Sequence, residues 1–175
     1  MLEGKNVSLR TVELEDLDYL NKWKNTEEVF KYLGGGFYPV SKDTQSQWMN
    51  SIIDTTNGNI RYIIQNKQNQ PIGFIGLYSI HDIYRTAEIG LYIGEINEQK
   101  KGHAYEAYQL FENYIMNYLN IRKLKAYVVE INSPAVSFWH KNNYMVVGKF
   151  SKERYIDGEF VDVLIMEKFI QSKGA

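Results

Sequence analysis

The chain has 175 residues, of which 44% are hydrophobic and 23% charged, values that suit one globular core of ordinary size and exclude a disordered chain. A formal net charge of −1 supplies no global field for holding DNA or RNA, so no nucleic-acid partner is expected and any phosphorylated ligand must be met by a local basic patch. The absence of cysteine excludes disulfides, thiolate metal sites and a cysteine nucleophile, and the scattered His81, His103 and His140 form no zinc motif, so no metal is expected.

The first seven residues carry Glu3 and Lys5 without an apolar signal core, and no apolar run is long enough to cross a bilayer. A cytoplasmic protein with no membrane partner is expected. Residues 7–11 alternate apolar and polar as a half-buried edge strand does, with Arg10 facing outward. Thr11 precedes Glu13, Glu15 and Asp16, which suit a helix N-terminus, and Leu14, Leu17, Leu20 and Trp23 recur at helical spacing. Thr26, Glu27 and Glu28 start a second helix with Val29, Tyr32 and Leu33 on its buried side, stopped by Gly34, Gly35 and Gly36. Those glycines lack the following Lys-Ser/Thr of a P-loop, which leaves a lid over a substrate pocket or a plain loop.

Ser41 opens a third helix that buries Trp48, Ile52 and Ile53 and closes at Asn57 and Gly58. Residues 62–65 and 72–78 are β-rich runs separated by a polar turn ending in Pro71, and 86–93 is a further apolar run, so 61–93 reads as a three-stranded antiparallel meander. From Gly102, residues Ala104, Ala107, Tyr108, Phe111, Tyr114, Ile115 and Tyr118 recur three or four apart and predict a long amphipathic helix. Residues 123–129 read as a strand, 134–141 as a short helix with Pro134 in its first turn, and the stretch from Met145 onward as a hairpin turned at Asp157 and Gly158. No repeat or linker divides the chain, and a single domain over residues 1–175 is expected.

The seam between the meander and the long helix, Glu98, Gln99, Lys100, Lys101, Gly102, His103 and Ala104, is the candidate phosphate-binding arm. Backbone N–H groups at a helix start point outward and the helix dipole favours an anion. Gly102 permits close approach of a phosphate, Lys100 and Lys101 add positive charge, and Ala104 keeps the first turn small. The alternative at this level is a capped helix with solvated lysines.

The pattern Gln-x-x-Gly-x-Ala at Gln99, Gly102 and Ala104 resembles the acyl-CoA pyrophosphate signature of the GNAT acetyltransferase superfamily. Ala87-Glu88-Ile89-Gly90-Leu91-Tyr92-Ile93 before it, Asn132-Ser133-Pro134-Ala135 as an Asn-x-x-Ala motif, and Lys141-Asn142-Asn143-Tyr144 extend the likeness over nearly the whole chain. Within the superfamily the likeness is to the ribosomal-protein N-terminal acetyltransferase type, a branch that also includes polyamine and nucleotide-aminosugar acetyltransferases.

The resemblance implies an α/β GNAT fold, a mixed and mostly antiparallel twisted sheet flanked by helices. It implies an acetyl-CoA-dependent N-acetyltransferase that acylates a primary amine directly, the acceptor being an amino sugar, a polyamine or a peptide N-terminus. The implied cofactor contacts are the backbone of Leu91, Tyr92 and Ile93, the arm from Gln99 through Lys100, Lys101, Gly102, His103 and Ala104, and Asn132, which either touches the pantetheine or only caps its helix. Many members have a tyrosine seven residues beyond the asparagine; here Trp139 stands there, and an indole N–H donates a hydrogen bond but is no proton source at neutral pH. Water, Ser137 or Tyr144 then serves the leaving thiolate, and Trp139 either contacts the cofactor or packs as core.

Glu88 interrupts an apolar strand beside the implied acyl site and is either a base or substrate ligand, acting through water, or an outward residue paired with Arg85. The histidines fit solvated roles. An aromatic acceptor pocket is expected around residues 30–38, the 78–85 loop and the final hairpin, and a homodimer is compatible with the sequence. A CoA-binding regulatory or interaction module with little turnover is the alternative that Trp139 motivates.

Overall fold

A computed structural model describes residues 1–58 and 60–170. Among the described residues the strands are β1 (Leu2–Glu3), β2 (Val7–Thr11), β3 (Ile60–Asn66), β4 (Pro71–His81), β5 (Thr86–Ile93), β6 (Lys123–Val129), β7 (Met145–Ile156) and β8 (Glu159–Phe169). They neighbour one another in the order β1-β2-β3-β4-β5-β6-β8-β7. β5 and β6 pair in parallel, Glu88 opposite Lys125, while β1–β2, β2–β3, β3–β4, β6–β8 and β7–β8 are antiparallel. The loop 82–85 is too short for anything but an antiparallel β4–β5 connection. This is the mixed, mostly antiparallel α/β sheet that the resemblance implied. The helices are α1 (Leu17–Lys24), α2 (Glu27–Phe30), α3 (Lys42–Ile53), α4 (His103–Tyr114) and α5 (Ser133–Lys141). None among the described residues is long and apolar enough to cross a membrane.

The described residues form two compact units, 1–78 with 90–114, and 79–89 with 115–170. The first is built around Val12, Leu20, Trp23, Val29, Met49, Ile52, Ile63 and Phe74, with Leu17, Phe30, Ile53 and Tyr92 packed against them. Local geometry corrects several expectations here. Leu14 is 62% exposed because it lies in a 3₁₀ turn, Leu14–Asp16, whose threefold winding carries it off the helical stripe. Arg10 lies on the face of β2 opposite the buried Val7 and Leu9, as expected, but is paired rather than free: it donates to Asp16 Oδ2 at 2.7 Å and Oδ1 at 2.6 Å, which allows that carboxylate to be buried. On α3 the buried face is Gln45, Met49 and Ile52, and Trp48 is 38% exposed. Ser41 caps α3 as expected, accepting from Thr44 N at 3.1 Å. β2 is not an edge, since β1 pairs with its Ser8 and Leu9.

In the second unit β6 runs against β8 from Lys123 opposite Phe169 to Val129 opposite Val163, and its alternate residues Leu124, Ala126 and Val128 are buried. The β7–β8 hairpin turns where the sequence places it: Asp157 and Gly158 both have positive φ, 52° and 85°, the requirement of a type I′ turn. The long helix ends earlier than expected. A π-helical turn, Ile115–Leu119, follows Tyr114, and its wider winding leaves Tyr118 76% exposed.

Candidate active site

In the first unit the end of β5 is set by tight packing. A Cβ at Gly73 would meet Tyr92 O and lie 3.1 Å from Ile93 Cα, so glycine lets β4 approach that backbone closely. Gly94 N and Glu95 N both donate to Ile72 O, at 2.8 and 3.2 Å. The Tyr92 ring lies 5.3 Å from Phe30, 6.0 Å from Trp23 and 5.9 Å, stacked, from Phe74. Burial, with the Tyr78 phenol nearby, pushes its hydroxyl well above the usual range. The side chain of Tyr92 packs against the core of this unit.

The arm follows a 3₁₀ turn, Ile96–Glu98. Gln99 is extended, Lys100 and Gly102 take positive φ of 61° and 85°, and α4 begins at His103. Gln99 Nε2 donates to Ile93 O at 2.9 Å, so its amide braces the loop against the end of β5. Glu98 holds Lys101 Nζ at 3.1 Å on one oxygen and His103 Nε2 at 3.0 Å on the other. Lys101 is the main reason that the Glu98 carboxyl sits below its usual value. Lys100 is exposed and Ala104 half-buried in the first turn. Glu106 N closes that turn on Gly102 O at 3.1 Å. A Cβ at Gly102 would meet nothing within 4 Å; φ, not crowding, is what asks for glycine there. The first helical N–H groups have no carbonyl one turn back, and the space beside Gly102 is open to a ligand.

In the second unit Glu88 is half-buried on β5. Burial pushes its carboxyl up, and Arg154, then Lys125, pull it partly back. Arg85 is not its partner: Arg85 Nε donates to Asn120 O at 2.8 Å. Burial lowers the Arg154 guanidinium, against the opposing pull of Glu153 and Glu88. Sequence reasoning missed Arg154 and Lys125, because both read as outward charges on alternating strands; only the parallel β5–β6 register brings Lys125 beside Glu88.

Asn132 caps α5, its Oδ1 accepting from Ala135 N at 3.4 Å. Ser137 is exposed on α5, and Trp139 and Tyr144 are buried with ring centroids 4.7 Å apart. His140 Nδ1 donates to Tyr144 O at 3.2 Å. His81 stacks on Tyr84 at 4.2 Å, and its Nδ1 accepts from Tyr84 N at 3.3 Å. Of the segments expected to receive the acceptor, Phe37 and Tyr38 are exposed in the first unit, and Tyr84, Tyr155 and Phe160 in the second.

Residues 6–144 match the sequence model of the acetyltransferase (GNAT) domain family. The chain is 26% identical over 170 residues to spermidine N(1)-acetyltransferase of Vibrio cholerae serotype O1, covering 97% of this chain and 96% of that protein. It is 26% identical over 166 residues to the protein of the same name from Escherichia coli K12, covering 95% and 87%. Its fold matches a crystal structure of spermidine N-acetyltransferase from Vibrio cholerae in complex with CoA and spermine, with a TM-score of 0.86 at 26% identity over 94% of this chain and 95% of that one. These relatives do not support the ribosomal-protein N-terminal acetyltransferase branch. The motifs behind that expectation are those the resemblance ties to the cofactor, and they carry no information about the acceptor.

Proposed function

This chain belongs to the GNAT acetyltransferase family, and we propose that it transfers the acetyl group of acetyl-CoA directly to a primary amine of a polyamine. Members of the family use acetyl-CoA as cosubstrate, and the chain is an N-acetyltransferase. The observation that carries the cofactor reading is the arm, where a strand, a turn with two left-handed residues and a helix start frame open space beside Gly102. The polyamine reading draws on the names of the relatives, spermidine acetyltransferases at 26% identity along nearly the full chain.

Roles follow from the chemistry. An alkyl amine resembles lysine, with a pKa of about 10.4, so roughly one amine group in 2,500 is neutral at pH 7 and able to attack. Glu88, half-buried with a raised carboxyl pKa, is the base that takes the amine proton through water. The backbone of Leu91, Tyr92 and Ile93 holds the pantetheine and polarises the acetyl carbonyl. Lys100, Lys101 and His103 surround the diphosphate at the head of α4, Gly102 and Ala104 leave it room, and Gln99 positions the loop. Asn132 spends Oδ1 on its helix cap and offers Nδ2 to the pantetheine. Attack forms the N–C bond and breaks C–S, releasing a thiolate. A thiol of pKa about 8.5 leaves readily, so water or the exposed Ser137 hydroxyl supplies the proton, while Trp139 and Tyr144 pack against each other.

Purified protein with acetyl-CoA and separate spermidine, glucosamine and N-terminal peptide acceptors, followed by free-thiol release, tests the reading. Spermidine-dependent release is expected. Release with glucosamine or peptide alone replaces the acceptor, and CoA binding without release for any amine favours the module that Trp139 suggests.

A further inference from the structure

One carboxylate ties the first turn of α4 to the turn between β1 and β2. Glu106 Oε1 accepts from Asn6 N at 2.7 Å and from Val7 N at 3.4 Å, and Oε2 accepts from Asn6 Nδ2 at 2.8 Å. The turn is shaped for this side chain. A Cβ at Gly4 would stand 2.9 Å from the Val7 backbone oxygen and 2.5 Å from Glu106 Oε1, so glycine gives this turn room to close around the carboxylate. Gly4 N donates to Val7 O at 2.9 Å, and Lys67 Nζ donates to Gly4 O at 2.7 Å, which fastens the turn from its other side.

The same residue closes the arm. Glu106 N makes the bond to Gly102 O at 3.1 Å, immediately after the left-handed step at Gly102. The orientation of the first helical N–H groups therefore depends on where Glu106 sits. A carboxylate in the first turn of an isolated helix favours the dipole without help, but beside a bound diphosphate it would repel the ligand. Three N–H donors from a turn 100 positions away in the sequence draw the charge off the arm and satisfy it. Burial pushes the Glu106 carboxyl up, yet these donors and Lys5 N–H hold it below its usual value, so the bonds are charge-assisted at neutral pH.

We propose that Glu106 is a positioning residue which, anchored to the 4–7 turn, holds the first turn of α4 in the orientation that binds the CoA diphosphate. It touches no ligand and acts through its backbone bond to Gly102. The proposal rests on the CoA reading of the arm.

Calorimetric titration of CoA into the whole chain, with steady-state kinetics in acetyl-CoA, tests it. Glu106→Ala is expected to weaken CoA binding about tenfold, the scale of a helix-terminus interaction with an anion. The acetyl-CoA KM should rise by the same factor while kcat at saturation changes less than about twofold, since the interaction is equal in ground and transition states. Glu106→Gln keeps an oxygen for the Asn6 and Val7 N–H groups and should restore most of the affinity. Asn6 is exposed, so Asn6→Ala removes one bond with the fold intact and should weaken CoA about threefold. Wild-type CoA affinity in folded Glu106→Ala or Asn6→Ala overturns the proposal, as does a loss confined to kcat. A wild-type chain that binds no CoA overturns the CoA reading itself, and this proposal with it.

Discussion

Replacing Glu88 by glutamine removes the proposed base while keeping its size. In the proposed role the carboxylate acts through water, which sits toward the lower end of general-base effects. A loss of about a hundredfold in kcat, or roughly 2.7 kcal/mol of barrier, is expected. The pH dependence has a defined sign. Burial raises the Glu88 pKa and Arg154 and Lys125 only partly offset it, so the acid limb of the wild-type rate profile is shifted upward from where an exposed glutamate would put it. Glu88→Gln loses that limb, and Arg154→Met moves it further up. Because the folded pKa is raised, the Glu88 contribution to stability is present below the unfolded value and lost as pH rises through the folded one. Ionised Glu88 therefore costs stability at pH 7, and Glu88→Gln should keep or raise Tm as the rate falls. Thiol-release kinetics from pH 5 to 9 with parallel thermal melts decide the matter; a Glu88→Gln enzyme with wild-type rate and profile refutes the assignment.

Gly102→Val places a β-branched residue at φ +85° in open space, so the fold should survive a strain of about 1–2 kcal/mol. Its CoA affinity, read by calorimetry, should drop at least about tenfold; an unchanged value removes the arm assignment. Gly94→Ala drives a Cβ into the buried Trp23 indole, an overpacking cost of about 2–3 kcal/mol that should lower Tm by roughly 4–12 °C; a melt matching wild type contradicts that packing. Asn132→Ala loses a cap whose bond is long at 3.4 Å, for about 0.5–1 kcal/mol. Asn132→Ser keeps a capping oxygen but lacks the amide, so a raised acetyl-CoA KM in that variant isolates the pantetheine contact, and a wild-type KM excludes it.

What could be read along the chain is what short-range chemistry encodes. The Asp157-Gly158 turn needs two positive φ values and names its own hairpin. The stripe from Ala107 to Ile115 needs one buried face and names its helix. The arm was visible because a left-handed glycine at a strand-to-helix seam is a local requirement. The same locality explains the misses on Leu14, Trp48 and Tyr118. Each fits an ideal α-helical period, and each was displaced by something the period does not contain: a 3₁₀ start at Leu14, a face re-aimed onto Met49 in α3, and a π-helical end before Tyr118.

The environment of each candidate residue was a different matter. Glu88 and Arg85 are three residues apart, yet Arg85 donates to Asn120 O, while the charges that tune Glu88 come from Lys125 and Arg154. Gln99 matches a ligand motif, yet its amide braces Ile93 O. Glu106 reads as an ordinary acidic residue in a first helical turn, yet its carboxylate belongs to a turn 100 positions earlier. Period, turn residues and helix starts act over a few bonds and so determined the elements and the left-handed seam before α4 from the sequence by itself. Strand register and close packing join residues tens of positions apart, and only the tertiary structure could decide which charges face Glu88 and what holds the first turn of α4.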